Sequence, residues 1–203
     1  MKLFLFLFFI PLICWSKSFV PSSFSANFEE SLISVATGKE KKSFGKIDYK
    51  YPGHIRYDII SPDPSIFVSN PVKSWYYVPP FIEGEEGQVT IQKSNKLPLT
   101  KFLDSIKNGL EGSRLFTFKY QGKELVLIFV KTIQKEMTLR QVTLIASIEA
   151  KNVKSLNEFE KMVLTYADGR KVNLKFIGLK EDVTFPVTHF EFVIPPKTKT
   201  TAN

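Results

Sequence analysis

The chain has 203 residues, 43% of them hydrophobic and 24% charged, and its 28 Lys+Arg against 20 Asp+Glu give a formal charge of +8. This length suits one domain without requiring a second, and a single cysteine, Cys14, excludes a disulfide framework and a thiolate metal site. The basic residues are spread along the chain among Glu and Asp, so the charge reads as a solvated basic surface; docking to an acidic partner comes second, and nucleic-acid binding is set aside.

The first element is a targeting segment. Lys2 precedes the apolar run LFLFLFFIPLIC, residues 3–14, which is too short for the roughly 20 helical residues that a bilayer core requires. A basic start, an apolar stretch and then small residues make a secretory signal peptide. With Cys14 and Ser16 at positions −3 and −1, cleavage is expected after Ser16, giving a signal peptide over 1–16 and one domain over 17–203. Cys14 offers a rival reading as a lipid-attachment cysteine, which Ile13 disfavours because a small residue usually precedes such a cysteine. After cleavage the count falls from 28 to 27 Lys+Arg against 20 Asp+Glu, a charge of +7, and no cysteine remains.

Most of the mature chain alternates with a period of two. Phe24, Ala26 and Phe28 alternate with Ser25 and Asn27, and Ile55, Tyr57 and Ile59 with Arg56 and Asp58. The same pattern holds for Val142, Leu144, Ala146 and Ile148, for Val172, Leu174 and Phe176, and for Phe190 and Phe192. Such runs are strands with one buried face. GKEKKSFGK, residues 38–46, departs from a phosphate-binding loop and reads as a charged hairpin turn. Residues 98–110, PLTKFLDSIKNGL, break the pattern: Leu99, Phe102, Leu103, Ile106 and Leu110 recur at helical spacing, with Pro98 suited to the first turn and Gly109 or Gly112 to the end. ELVLIFV, residues 124–130, is apolar on both faces, as in a central or doubly covered strand. Gln121-Gly122 and Asp168-Gly169 are hairpin signals. Residues 195–203, PPKTKTTAN, read as a frayed polar tail. Together these predict a mainly β chain, an incomplete antiparallel barrel or half-barrel with one short helix lying over an apolar face as a lid.

Catalytic constellations are missing from the pattern. His54 and His189 are far apart, neither a zinc-protease nor a nucleophile-elbow motif occurs, and His189 is expected on the outward face of a last strand. Glu83, Glu85 and Glu86 sit among glycines without the apolar surroundings that tune an acid–base pair. We therefore expect no enzyme, no metal and no cofactor. Four of the 19 Phe belong to the signal segment, leaving 15 beside seven Tyr and Trp75. A half-barrel capped by a helix often encloses an apolar pocket, and its wall is expected from Tyr49, Tyr51, Ile55, Tyr57, Ile59, Trp75 and Tyr77, with Leu99, Phe102, Leu103 and Ile106 contributed by the helix.

Residues 45–80, GKIDYKYPGHIRYDIISPDPSIFVSNPVKSWYYVPP, resemble the periplasmic outer-membrane lipoprotein carrier family, LolA. The resemblance rests on Tyr51-Pro52-Gly53, Ile55-Arg56-Tyr57, Pro62, residues 66–70, Lys73, Trp75-Tyr76-Tyr77 and Pro79. FSANFEES (24–31) matches the first strand, PLTKFLDSIKNGL the middle helix and THFEFVIPPKT (188–198) a closing strand. It implies a half-barrel whose cavity shelters lipoprotein acyl chains in a monomeric periplasmic chaperone. Such a chaperone receives lipoproteins from an inner-membrane ABC release complex and passes them to an outer-membrane receptor, without cofactor or catalysis. The alternatives are an outer-membrane-anchored receptor of the same fold, if Cys14 carries lipid, and an exported module for acidic partners. Three departures stand out. Only KSFVPSS (17–23) precedes the first strand, Asn70-Pro71 replaces an Asp-Gly turn, and Tyr51 stands where some members have a lid-holding arginine, leaving Arg56 as the substitute lid or docking residue.

Overall fold

A computed structural model describes residues 18–33, 38–82, 84–93 and 97–202. The signal segment with Cys14, and Glu83 of the acidic loop, lie outside the described residues. In chain order the elements are β1 (Ser23–Ile33), β2 (Glu40–Lys50), β3 (His54–Ser61), β4 (Ser65–Ser69), β5 (Lys73–Val78), β6 (Gly87–Lys93), α1 (Pro98–Ser105), β7 (Phe116–Gln121), β8 (Glu124–Phe129), α2 (Lys131–Met137), β9 (Leu139–Ala146), β10 (Phe159–Tyr166), β11 (Lys171–Glu181) and β12 (Thr198–Ala202).

All twelve strands belong to one open sheet in the order β12-β6-β5-β4-β3-β2-β1-β11-β10-β9-β8-β7. Neighbours are antiparallel except β12, which runs parallel to β6 with Thr198 opposite Gly87 and Ala202 opposite Ile91. The alternation in β1 holds as read: Phe24, Ala26 and Phe28 are buried on the inner face, opposite Tyr49, Ile47 and Gly45 of β2. Gly45 is required there, because a Cβ would overlap the Asp58 carbonyl and meet the Phe28 ring at 2.6 Å. The two expected hairpins form, with Gln121 opposite Glu124 and the Tyr166 N–H donating to the Arg170 carbonyl across Asp168-Gly169.

The sheet curls strongly. Tyr76 of β5 and Leu164 of β10 line the same pocket, yet they stand six strand steps apart in the sheet. A flat sheet would separate them by about 29 Å at ~4.8 Å per step. The curled inner face holds one core cluster running from β1 to β11, with Leu99, Phe102, Leu103 and Ile106 of the α1 segment packed into it. The half-barrel with a covering helix is thus the architecture.

Four expectations change in detail. The helix stops at Ser105; the chain then turns through Gly109 at φ 117°, while Leu110 still reaches the core. A second helix, α2, exists; its KTIQKEM offers only Ile133 and Met137 as an apolar pair, too little for a periodic signal. GKEKKSFGK is mostly strand, since β2 begins at Glu40. In β8 the inner face is buried at Leu125, Leu127 and Phe129, but on the other face only Val126 is covered while Ile128 and the following Val130 are exposed, and the strand lies next to the β7 edge, not at the centre.

The C-terminal region departs furthest. Residues 188–198 are not a closing strand: Val187–Phe190 form a 3-10 turn, and the segment crosses the outer face of the sheet as a strap. His189 Nε2 lies 2.8 Å from Asp48 Oδ2, Asn70 Nδ2 donates to the Phe190 carbonyl, the His54 and Phe190 rings meet edge to face at 5.3 Å, and Phe192 packs on Tyr77 at 5.1 Å. His189 is thus a contact of the strap with the sheet instead of an outward strand residue. The Gly87 N–H donates to the Lys197 carbonyl, and the expected frayed tail becomes β12.

Candidate functional site

The inner face of β1, β2 and β3 is built by alternation alone. Tyr49 and Ile55 are fully buried, Tyr57 nearly so, and Ile59 packs against the same cluster. Phe28 stacks on Tyr57 at 4.1 Å between ring centroids, and Phe24 leans on Tyr49 at 5.2 Å. Such aromatic pairs add about 0.5–1.5 kcal/mol beyond area burial.

α1 closes this face. Its Phe102 meets Phe129 of β8 edge to face at 6.2 Å, and Leu99, Leu103 and Ile106 join Phe102 in the core. The helix is tied at its C-terminal turn: the Tyr49 hydroxyl donates to Asp104 Oδ1 at 2.7 Å, and the Gly53 N–H donates to the same oxygen at 3.2 Å. Burial, followed by the neighbouring Asp104 carboxylate, pushes the Tyr49 phenol far above its usual range, so it stays a donor. Toward α2, Lys101 Nζ donates to the Glu136 carbonyl at 3.0 Å and lies 3.6 Å from its carboxylate.

An apolar pocket of about 180 Å³ opens at the N-terminal end of α1, between Leu97, Pro98 and Leu99 on one side and Tyr57, Ile59, Phe67, Tyr76, Leu164 and Tyr166 on the other. That is below the roughly 300–1,000 Å³ of a small-molecule site. The side chains of α1 fill the rest of the inner face, so the space under the expected lid is packed, with this pocket at its mouth.

Glu30 stands in the pocket. It continues the inward phase of Phe24, Ala26 and Phe28, and its Oε2 accepts the Tyr57 hydroxyl at 2.8 Å. Burial pushes its carboxyl above the usual range, against the Tyr57 hydrogen bond and the Lys41 charge, which pull it down. Burial and the Glu30 charge raise the Tyr57 and Tyr166 phenols in turn. Glu30 is hidden in the sequence because Glu29, Glu30 and Ser31 are polar in succession; carrying the β1 phase two residues past Phe28 would have pointed it inward.

The expected wall is therefore brought together at Tyr49, Ile55, Tyr57, Ile59, Leu99, Phe102, Leu103 and Ile106 and corrected at three positions, and the lid contact expected of Arg56 is corrected as well. Tyr51 lies in the β2–β3 turn, 42% exposed, with Lys107 Nζ 5.8 Å from its ring centre. Trp75 and Tyr77 point to the outer face: Trp75 is opposite Val68 and Tyr77 opposite Ile66, while Tyr76 and its partner Phe67 line the pocket. Arg56 does not reach α1. It is on the outer face, its Nε 2.9 Å from Asp58 Oδ2, so Asp104 with Tyr49 and Gly53 fastens the helix instead.

The site is thus a curled open sheet with a helix packed onto its apolar inner face. Residues 21–193 match the family model described as outer membrane lipoprotein carrier protein LolA, and the chain belongs to that family. A relative named outer-membrane lipoprotein carrier protein from Francisella tularensis subsp. novicida is 28% identical, over 87% of this chain and 80% of its own. One of the same name from Dechloromonas aromatica is 22% identical over 84% and 76%. Among solved structures, an uncharacterized conserved protein from Thermus thermophilus superposes with a TM-score of 0.51 at 8% identity, covering 90% of this chain and 91% of that one; it shares the fold.

Proposed function

We propose that the mature protein, exported to the periplasm after cleavage of residues 1–16, shelters lipoprotein acyl chains against the inner face of its half-barrel. It would take them from an inner-membrane ABC release complex and hand them to an outer-membrane receptor, as a monomer and without catalysis. The observation that carries this reading is α1. Its Leu99, Phe102, Leu103 and Ile106 occupy the surface an acyl chain needs. Four such side chains are worth about 6–12 kcal/mol of burial, at ~1.5–3 each, and an acyl chain of about 14 methylenes is worth ~11 kcal/mol at ~0.8 per CH₂. Exchange of helix for chain is then nearly balanced, and near balance lets a carrier both load and unload by population shift.

Native mass spectrometry of protein isolated from the periplasm tests this. The expected spectrum is a chain cut after Ser16 with a lipoprotein or an acyl-bearing ligand retained. A ligand-free spectrum under conditions that preserve weak complexes would overturn the carrier reading, and a diacylglyceryl mass on Cys14 would replace it with an anchored receptor.

A further inference from the structure

Among the described residues, the pocket beside α1 has one carboxylate, Glu30, and one aliphatic hydroxyl, Ser65, in an otherwise aromatic and aliphatic lining. A carboxylate offers about four lone-pair sites, and the Tyr57 hydroxyl fills one of those on Glu30. The groups that face Glu30 are the phenols of Tyr57 on β3 and Tyr166 on β10, with Tyr76 of β5 across the pocket. Lys41 of β2 is the cation whose field reaches it, but the Lys41 ammonium is held by Asp63 at 2.6 Å. Nothing in the packing calls for an acid at this position: the flanking partners of Glu30 are Leu174 on β11 and Ser43 on β2. Among the described residues no cation pairs with Glu30, and holding a half-buried charge without one is costly, so its presence in the mouth of an apolar groove calls for a ligand group that compensates it.

We propose that Glu30 is a specificity-determining residue of this pocket: it accepts amphiphiles whose apolar chain meets a hydrogen-bond-donating or cationic head, and it rejects those headed by an anion, such as free fatty acids. The inference deepens the acyl-carrier reading and rests on it. An N–H head fits the open lone pairs of Glu30, and the Tyr166 hydroxyl is in the same lining to bridge to an ester or amide carbonyl. A carboxylate head would face another carboxylate across a poorly hydrated gap, and a repulsive element of this kind discriminates between ligands of equal apolar surface. A carrier so equipped would leave aside the single-chain anions that a membrane sheds and keep its groove for acylated amines and amides.

The overall charge makes the test sharp. A chain carrying +7 after cleavage attracts anions at long range, so a preference for a cationic amphiphile runs against the global field and reports the local carboxylate. The mature protein is loaded with a neutral fluorescent acyl ester. Displacement by dodecylamine, dodecanoate and 1-dodecanol, equal in chain length, is then measured at pH 7.5. Dodecylamine is expected to displace at a concentration at least tenfold lower than dodecanoate. Glu30→Gln, which keeps the shape and an acceptor for Tyr57, is expected to bring the ratio to threefold or less while 1-dodecanol still displaces the ester. In the unmodified protein, the advantage of dodecylamine over 1-dodecanol is expected to shrink on acidification to pH 4.5, where the amine stays charged and Glu30 takes up a proton; this arm needs no variant to fold. Dodecanoate binding as tightly as dodecylamine, or an unchanged ratio in Glu30→Gln, overturns the proposal while the ester and alcohol still bind and the carrier reading stands. Failure of the ester and all three amphiphiles to bind overturns both.

Discussion

Tyr49→Phe isolates the contact that fastens α1. The Tyr49 ring is fully buried against Phe24, so the substitution keeps its packing and removes only the hydroxyl that donates to Asp104 at 2.7 Å. A hydrogen bond to a charged group is worth about 1.5–3 kcal/mol. Because 1.4 kcal/mol is a factor of ten, the population with α1 detached should rise about 10- to 150-fold. Amide hydrogen exchange reads that population directly. The Ile106 N–H, which donates to the Phe102 carbonyl at 3.2 Å, and the other amides of residues 101–106 should exchange faster by this factor, while amides in the β1–β2 and β1–β11 ladders keep their protection. Acyl-ligand affinity should rise in parallel, since a smaller share of binding energy goes to opening the helix. Unchanged exchange in α1, or an equal increase throughout the sheet, would refute the idea that this bond holds a locally opening helix.

Three further outcomes rest on individual side chains. Glu30→Gln should be more stable than the parent above pH 4.5 and equal to it below. The folded carboxyl is raised above its ordinary value of 4.5, so the folded state binds the extra proton and the parent loses stability as pH climbs from there through the raised value; thermal melts across pH 3.5–8 follow it. Asp48→Asn should cost about 1.5–3 kcal/mol at pH 7 in urea unfolding. Burial pushes that carboxyl up, but hydrogen bonds from Ser25, Lys46 and His189 outweigh burial and hold it below 3.8, so the loss should fade as acid titrates the parent below that value. Gly45→Ala should destabilise by about 3 kcal/mol or more, the upper end of overpacking, because its methyl group would collide with the Asp58 carbonyl and the Phe28 ring; a melting temperature within a degree of the parent would contradict it.

How much of this was legible depended on whether polarity alternated along a segment. In β1 and β3 one face is apolar and the other polar, so the phase could be read directly from Phe24 to Phe28 and from Ile55 to Ile59. The helix was legible because Leu99, Phe102 and Leu103 recur at its period, and its end was overshot because Ile106 and Leu110 continue that period past Ser105. Trp75-Tyr76-Tyr77 gave no phase: three aromatics in succession fit either face, since the strap with Phe192 covers the outer side and the pocket takes the inner one. A one-residue error in phase turns every side chain over, and it placed Trp75 and Tyr77 where Tyr76 belongs. The tail was unreadable for another reason. Thr198–Ala202 pair with β6 through backbone groups, which any sequence offers, and the strand is nearly all exposed. Tyr51 misled because it continues the period-two phase of Tyr49 in the sequence, whereas β2 ends at Lys50 and Tyr51 lies in the turn.

The strand order has a consequence for synthesis. β1 lies between β2 and β11, with Phe28 opposite both Gly45 and Phe176, and the edge of β6 is covered only when residues 198–202 arrive. A chain made from its N-terminus can therefore pair β1 to β6 into a ribbon, but that ribbon has two raw edges until the last quarter of the sequence exists. Pairings so distant along the chain make folding slow. The arrangement leaves both edges of that ribbon unpaired until nearly the whole polypeptide is available.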